Sequence, residues 1–131
     1  MSRVGIVLVS HSSSLVAGLH ELLAQLPHDV PVATAGGTDD GEIGTSATKI
    51  QLAIEQVYSE RGVIVLFDLG SAYINAELAI EWLDEGRRAN VVIADAPLVE
   101  GAYAAVVLSG CGGSLQEVLN AAQEAKQLEK L

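Results

Sequence analysis

One histidine stands where an imidazole could act as a nucleophile. His11 follows the apolar run Val4–Val9 and precedes a helical pattern. An imidazole attacks well when one ring nitrogen is free and the other donates to a carboxylate. Asp68, at the end of another apolar run, could supply that carboxylate, fix the tautomer and stabilise positive charge on the ring. The pair suits a phosphoryl group carried on His11, and the alternative is a histidine that only caps a helix or fills a turn.

Hydroxyl groups and glycines lie beside this pair and could bind the oxygens of a phosphoryl group. The serines on both sides of His11, with the amides of a helix start, form a natural anion nest. Ser71, three residues after Asp68, could cap the following helix, donate to a phosphoryl group, or do both. The residues predicted to bind the phosphoryl group are Ser10, Ser12, Gly36, Gly37, Thr45, Gly70 and Ser71.

A long glycine-rich loop, residues 36–46, is the second candidate region. Glycines let a backbone approach a ligand closely, but no Gly-Lys-Ser/Thr follows as in a Walker A loop. The alternative is an ordinary loop whose Thr45 or Ser46 caps the next helix. The loop also carries three acids, Asp39, Asp40 and Glu42. We interpret these acids as an exposed, solubilising turn and predict no metal site.

Four apolar, β-branched runs predict the strands that position these residues. They are Val4–Val9, Val30–Ala35, Gly62–Phe67 and Asn90–Ala94. Each is followed by a loop and a helical pattern, and their starts are 26, 32 and 28 residues apart, close to the roughly 30 residues of a βαβ unit. The fold class is therefore α/β, a three-layer sandwich around a mostly parallel sheet.

The predicted strand order is 2-1-3-4. Pro31 cannot donate to a β-ladder, which favours an edge position for the second run. The first and third strands are then central, and ligands of open α/β sheets bind beyond the carboxyl ends at this switch point. His11 and Asp68 follow these two strands, so we expect them to meet there. We treat residues 1–131 as a single domain.

Several helical details are also expectations. The first helix should bury Leu15, Leu19, Leu22, Leu23 and Leu26, and the third should bury Ala76, Leu78, Ala79, Trp82 and Leu83 before stopping at Gly86. Ser114 and Glu117 have the form of a capping box. We expect Cys111 to be a small buried or half-buried residue and His28 to be exposed.

Composition excludes several classes of protein. The net charge of -10 over 131 residues argues against a nucleic-acid binder and against attachment to an anionic membrane. The single cysteine excludes an internal disulfide and a cysteine-rich zinc site. The sequence has neither a signal-peptide core nor an apolar run long enough for a membrane span. We therefore expect a soluble, cytoplasmic protein.

Four stretches in the predicted loops together resemble a known family. They are residues 5–12, residues 36–37 with 41–46, residues 67–72, and residues 96–102. The chain resembles the phosphotransferase subunit of bacterial phosphoenolpyruvate-dependent dihydroxyacetone kinase, the DhaM family, whose first domain has the mannose-type EIIA fold. The resemblance covers most of the chain, from the first strand to the fourth helix.

The resemblance implies a role beyond what spacing shows. It implies that His11 is phosphorylated by the phosphocarrier protein of the phosphotransferase system and that Asp68 pairs with it. The phosphoryl group would pass to ADP on the nucleotide-binding kinase subunit, while another subunit binds dihydroxyacetone. This chain would need no cofactor of its own and would form a homodimer. Some members carry fused phosphocarrier and enzyme I-like domains. We expect this chain to lack them, so that the phosphocarrier acts in trans.

Two other functions stay open at this point. A sugar-transport EIIA component of the mannose family would use the same chemistry with a different acceptor, but such proteins usually have Gly-Gly-Ser-Pro where this chain has residues 69–72 as Leu-Gly-Ser-Ala. A flavodoxin-like binding module would have no covalent chemistry. It would carry no phosphoryl group on His11 and would retain a small ligand.

Overall fold

The computed structural model describes residues 2–131 and contains four strands and six α-helices. The strands are β1 (Gly5–Ser10), β2 (Val32–Gly36), β3 (Val63–Phe67) and β4 (Val91–Ile93). The helices are α1 (Ser13–Leu23), α2 (Ala47–Val57), α3 (Ala72–Glu81), α4 (Glu85–Arg88), α5 (Leu98–Gly110) and α6 (Leu115–Glu124), and a 3₁₀ turn spans Ala125–Gln127. Each predicted strand is present, with its ends shifted by no more than two residues.

The four strands form one parallel sheet in the order β2-β1-β3-β4, which confirms the predicted order and fold class. Pro31 lies just before β2, which is an edge strand as predicted, and its carbonyl accepts from the amide of Ile6 at 3.0 Å. In the sheet Val9 is level with Phe67, and Ser10 is level with Gly36. The residues that follow β1 and β3 are therefore neighbours at the carboxyl edge.

Helices cover both faces of the sheet because the side chains of each central strand alternate between two cores. In β1, Ile6 and Leu8 point into a core shared with α1, α5 and α6. Val7 and Val9 point into the other core, shared with α2 and α3. Burial on both faces explains why the strands read as continuous apolar runs rather than as alternating ones.

Serine caps fix where three of the helices begin. The side chains of Ser12, Ser46 and Ser114 accept hydrogen bonds from backbone amides in the first turns of α1, α2 and α6. Ser114 and Glu117 form the predicted capping box. The capped starts of α1 and α2 both lie at the carboxyl edge of the sheet, beside the candidate site.

Two predicted helix faces were partly wrong. In α1 the buried residues are Val16, Leu19 and Leu23. Leu15 and Leu22 each stand one residue before a buried position and are exposed. In α3, Leu78 and Trp82 are likewise exposed.

The predicted end of α3 at Gly86 was also wrong. The helix ends at Glu81, because the side chain of Asp84 accepts from the amide of Arg87 at 3.0 Å and caps the separate helix α4. Gly86 therefore lies inside α4 rather than at the end of α3.

Two single residues also differ from expectation. Cys111 is exposed, since it follows the last residue of α5 just before a turn made by Gly112 at φ +87. His28 is half-buried rather than exposed. Its Nδ1 accepts from the amide of Val30 at 3.0 Å and its Nε2 contacts the carbonyl of Leu23 at 3.2 Å, which ties the end of α1 to the start of β2.

Within residues 2–131, no helix combines the length and the apolar character that crossing a membrane requires.

Candidate functional site

The structure brings His11 and Asp68 into direct contact at the carboxyl edge of the sheet. His11 Nδ1 lies 3.0 Å from Asp68 Oδ1. The two side chains are 20% and 14% exposed, so the ring is held firmly and solvent still reaches it. The pair follows β1 and β3, the two central strands, as the strand order required.

Asp68 receives four hydrogen bonds, and two converge on each oxygen. Oδ1 accepts from the His11 ring and from the amide of Leu69 at 2.7 Å. Oδ2 accepts from the Ser10 hydroxyl at 2.8 Å and from the amide of His11 at 3.0 Å. Partial burial alone would raise the pKa of the Asp68 carboxyl, but the bonds from His11, Ser10 and Leu69 outweigh it and hold that pKa below its ordinary value.

An ionised Asp68 decides which nitrogen of His11 carries the proton. A carboxylate can only accept, so Nδ1 must donate, and a neutral ring then keeps its lone pair on Nε2. Nε2 lies 2.7 Å from the Ser71 hydroxyl, which donates to it in this tautomer. The ring nitrogen with an available lone pair is therefore Nε2, a choice that the sequence alone left open.

Ser71 differs from the other serines at helix starts because its side chain makes no capping bond. It stands before α3 in helical backbone geometry, φ -64 and ψ -23, and its side chain is free to reach the imidazole. Of the two functions suggested by the sequence, capping is absent. The contact with Nε2 leaves the hydroxyl beside the position that a phosphoryl group on that nitrogen would occupy.

The glycine-rich loop packs against the backbone of His11. The amide of Gly44 donates to the His11 carbonyl at 2.9 Å, and the amide of Gly37 donates to the Ser10 carbonyl at 3.2 Å. Gly36 must lack a side chain, since a Cβ there would lie 2.6 Å from Ser13 Cα. Gly37 has φ +78, a conformation that favours glycine. The loop is thus shaped to pack closely beside the histidine.

Among the other residues predicted to bind the phosphoryl group, Ser10 and Ser12 have hydroxyls that bond within the protein. The Ser10 hydroxyl is fully buried, donates to Asp68 and accepts from the amide of Ser12 at 3.0 Å. The Ser12 hydroxyl accepts from the amide of Leu15 at 3.2 Å. Gly70 is exposed with open space around it. Contact of these residues with a phosphoryl group stays a prediction.

The acidic part of the loop does not form a cluster that could hold a metal. Among residues 2–131, no group of three or more histidines, cysteines or acids is close enough to bind an ion. Asp39 instead accepts a hydrogen bond from Ser46, the cap of α2, whereas Asp40 and Glu42 are exposed.

Lys49 and Asn75 are the two side chains near the site that motif reasoning did not assign. Lys49 Nζ donates to the carbonyl of Gly36 at 3.0 Å. This ammonium group lies close to the loop, and its hydrogen bond is made to the backbone. Asn75 Nδ2 donates to Thr45 Oγ1 at 2.6 Å. The available sequence signal for Asn75 was its position four residues after Ser71, which places both on one side of α3.

Comparison with known sequences identifies the family of the chain. The family described as PTS system fructose IIA component, EIIA-man, matches residues 5–119. A DhaM phosphoryl donor subunit of a dihydroxyacetone kinase from Listeria innocua is 39% identical over 88% of this chain and 94% of its own length. A phosphotransferase subunit DhaM from Lactococcus lactis is 35% identical over 97% of this chain and 94% of its own length. A DhaM subunit from Providencia stuartii is 41% identical, but the chain spans only 28% of that relative's length.

Solved structures share the fold. A crystal structure of a protein of unknown function superposes with a TM-score of 0.86 at 35% identity, over 95% of both chains. A phosphotransferase system component EIIA from Streptococcus agalactiae superposes with a TM-score of 0.67 at 16% identity, over 95% of this chain and 92% of its own. The second likeness concerns the fold alone. The match to the family model and the identity with the DhaM subunits show that the chain belongs to the mannose-type EIIA family, together with those subunits.

Proposed function

We propose that this protein is a phosphoryl relay in which His11 is phosphorylated on Nε2 and then donates the group onward. The observation that carries the proposal is the geometry of one ring, with Nδ1 fixed on Asp68 and Nε2 directed at the Ser71 hydroxyl. Positioning and stabilisation of charge are the main requirements of phosphoryl transfer. The role of the DhaM relatives as phosphoryl donor subunits supports the same conclusion.

In the proposed transfer one N–P bond forms as another breaks, and neither step uses a metal or cofactor on this chain. The lone pair on Nε2 attacks the phosphorus of a phosphohistidine on the phosphocarrier protein, and a new N–P bond forms. The N–P bond of the donor breaks, and its electron pair stays on the donor's imidazole. The His11 ring becomes positively charged as it is phosphorylated, and the Asp68 carboxylate stabilises that charge through Nδ1–H.

The onward step gives the proposed partners. The phosphoryl group would leave His11 for ADP on a nucleotide-binding subunit of dihydroxyacetone kinase, and another subunit would bind dihydroxyacetone. We place this exchange in the cytoplasm and propose that the chain works as a homodimer. The names of the relatives support the kinase assignment, and a sugar-transport component of the same family is the competing function.

Intact-mass spectrometry tests the relay directly. The protein is incubated with phosphoenolpyruvate, enzyme I and phosphocarrier, and the wild type should gain the mass of one phosphoryl group that is lost in acid. His11→Ala should abolish the gain. His20→Ala is the matched control, because His20 is an exposed histidine on α1, and it should be labelled like the wild type. Full labelling of His11→Ala would sink the proposal, as would an unlabelled wild type that retains a small ligand.

The acceptor is identified by which partner removes the phosphoryl group from the labelled protein. Adding the nucleotide-binding kinase subunit with ADP should return the protein to its unphosphorylated mass and produce ATP. Adding instead a sugar-transporter domain of the mannose family should leave the label in place. The opposite result would assign the chain to sugar transport while preserving the role of His11.

A further inference from the structure

A hydrogen bond outside the His11–Asp68 pair joins helix α3 to the glycine-rich loop. Asn75, half-buried on α3, donates from Nδ2 to Thr45 Oγ1 at 2.6 Å. Asn75 lies one helical turn beyond Ser71, whose hydroxyl contacts His11 Nε2. The side of α3 that touches the imidazole is thus the side that holds Thr45.

Thr45 is anchored to the same histidine from its other side. It directly follows Gly44, whose amide donates to the His11 carbonyl at 2.9 Å. Three hydrogen bonds, linked by one turn of α3 and by the Gly44–Thr45 peptide, therefore form a closed circuit from the His11 ring to the His11 backbone. Thr45 is therefore held from two directions, by α3 through Asn75 and by the His11 backbone through Gly44.

The direction of the Asn75–Thr45 bond leaves one proton unused. The amide nitrogen can only donate, so the threonine oxygen accepts, and the hydroxyl proton must point elsewhere. Among residues 2–131, Thr45 Oγ1 gives no hydrogen bond to a protein atom. By contrast, the hydroxyls of Ser10 and Ser46 donate to carboxylates.

A phosphoryl group on Nε2 needs donors of this kind. Its oxygens carry negative charge, and the lysine beside the loop is committed to the carbonyl of Gly36. Neutral donors that are already oriented stabilise such charge without reorganising. Ser71 and Thr45, like Ser12, carry hydroxyls that can supply them.

We propose that Asn75 is a positioning residue, which by donating to Thr45 turns the threonine hydroxyl proton toward the phosphoryl group carried by His11. The inference rests on the proposed phosphorylation of His11. It adds that α3 contributes twice to the site, directly through Ser71 and indirectly through Asn75.

The first experiment removes each partner in the full chain. Thr45→Val deletes the hydroxyl, and Asn75→Ala deletes the group that orients it. Each should lower the rate of phosphorylation by phosphocarrier about tenfold, the size expected for one hydrogen bond to a charged group. Thr45→Ser should recover most of the lost rate. Asn120→Ala, an exposed asparagine on α6, should match the wild type.

A spectroscopic readout separates positioning from simple support of the loop. The ³¹P resonance of phosphohistidine should shift in Thr45→Val and Asn75→Ala by similar amounts and stay in place in Asn120→Ala. A labelled, folded Thr45→Val with wild-type rate and ³¹P resonance would overturn the inference. So would slowing in Asn75→Ala with no effect of Thr45→Val. An unlabelled wild type would instead overturn the proposed function itself.

A polarity reversal keeps the inference testable if deletion of either side chain destabilises the protein. Asn75→Asp retains the link between α3 and the loop, but a carboxylate can only accept, so it takes the Thr45 proton away from the phosphoryl group. This variant should slow phosphorylation, and the slowing should shrink in a Thr45→Val background. Undiminished slowing in that background would show that the introduced carboxylate acts by charge alone and would overturn the role through Thr45.

Discussion

Two aspartates of this molecule have lowered pKa values for different physical reasons. Asp29 is 62% exposed, and Arg3 lowers its pKa through a hydrogen bond at 3.0 Å and through its charge. Asp68 is 14% exposed, and its pKa is lowered by hydrogen bonds from the histidine, a serine and two backbone amides against the opposing effect of burial. The exposed carboxylate of Asp29 is stabilised by a neighbouring positive charge, whereas the carboxylate of Asp68 is stabilised by hydrogen bonds from the protein.

The difference shows how the proposed site of an acidic chain keeps its carboxylate ionised without a fixed cation. A fixed cation paired with Asp68 would neutralise it and weaken its hold on the imidazole. Four oriented hydrogen bonds keep the carboxylate ionised and available to Nδ1. With a net charge of -10, the protein thus builds its site from amides, hydroxyls and one histidine.

The largest expected effect is on phosphoryl transfer in Asp68→Asn. An asparagine amide can donate to Nδ1, which favours the tautomer with the proton on Nε2 and removes the attacking lone pair. A comparable exchange in a serine protease triad costs about 10⁴-fold, and we expect a loss of at least about 10²-fold here. Rates of labelling by phosphocarrier measure it, with Asp29→Asn as the control. Equal rates for both variants would erase the distinction between the two aspartates.

A second effect is on folding stability. Asp68→Asn leaves the donors around Oδ1 and Oδ2 with a poorer partner, so the free energy of unfolding should fall by about 1–3 kcal/mol. Asp29→Asn should change it less, because exposed ion pairs contribute little. Urea unfolding at neutral pH measures both variants. A larger loss in Asp29→Asn would invert the comparison.

Much of this site could be predicted from the sequence because position in a parallel sheet follows from pattern. Apolar runs marked the strands, Pro31 marked the edge, and the strand order then required the residues after β1 and β3 to meet. His11 and Asp68 needed no further information. The start of α6 after Ser114 could also be predicted, because a capping box is defined by four consecutive residues.

What the sequence could not give depends on side-chain direction. Ser71 and Ser46 both precede helices, yet only Ser46 caps with its side chain, because Ser71 has an imidazole within reach. Asn75 carries no motif and acquires its contact only when α3 meets the glycine-rich loop. The rotation of α1 that exposes Leu15 and Leu22 is likewise set by packing, which periodicity locates only to about one residue.

Acid should remove the contribution of Asp68 to folding stability. Folding lowers the pKa of Asp68 below its ordinary 3.8, so its contribution is fully present above that value and is lost as pH falls through the lower, folded-state pKa. The stability difference between wild type and Asp68→Asn should therefore shrink between about pH 5 and pH 2. Urea unfolding of both proteins across this range measures the difference. A constant difference would mean that folding does not shift the titration of Asp68.

The smallest effect is the response to salt, and it separates the two causes most directly. The Arg3–Asp29 pair is an exposed ion pair, which mobile ions screen. The small stability difference between wild type and Asp29→Asn should therefore fade as NaCl rises from about 0.01 M to about 1 M. The difference for Asp68→Asn should persist, because hydrogen bonds from neutral donors at short range are not screened in this way. If both differences faded together, Asp68 would also depend on distant charge, and its four hydrogen bonds would not be what keeps it ionised.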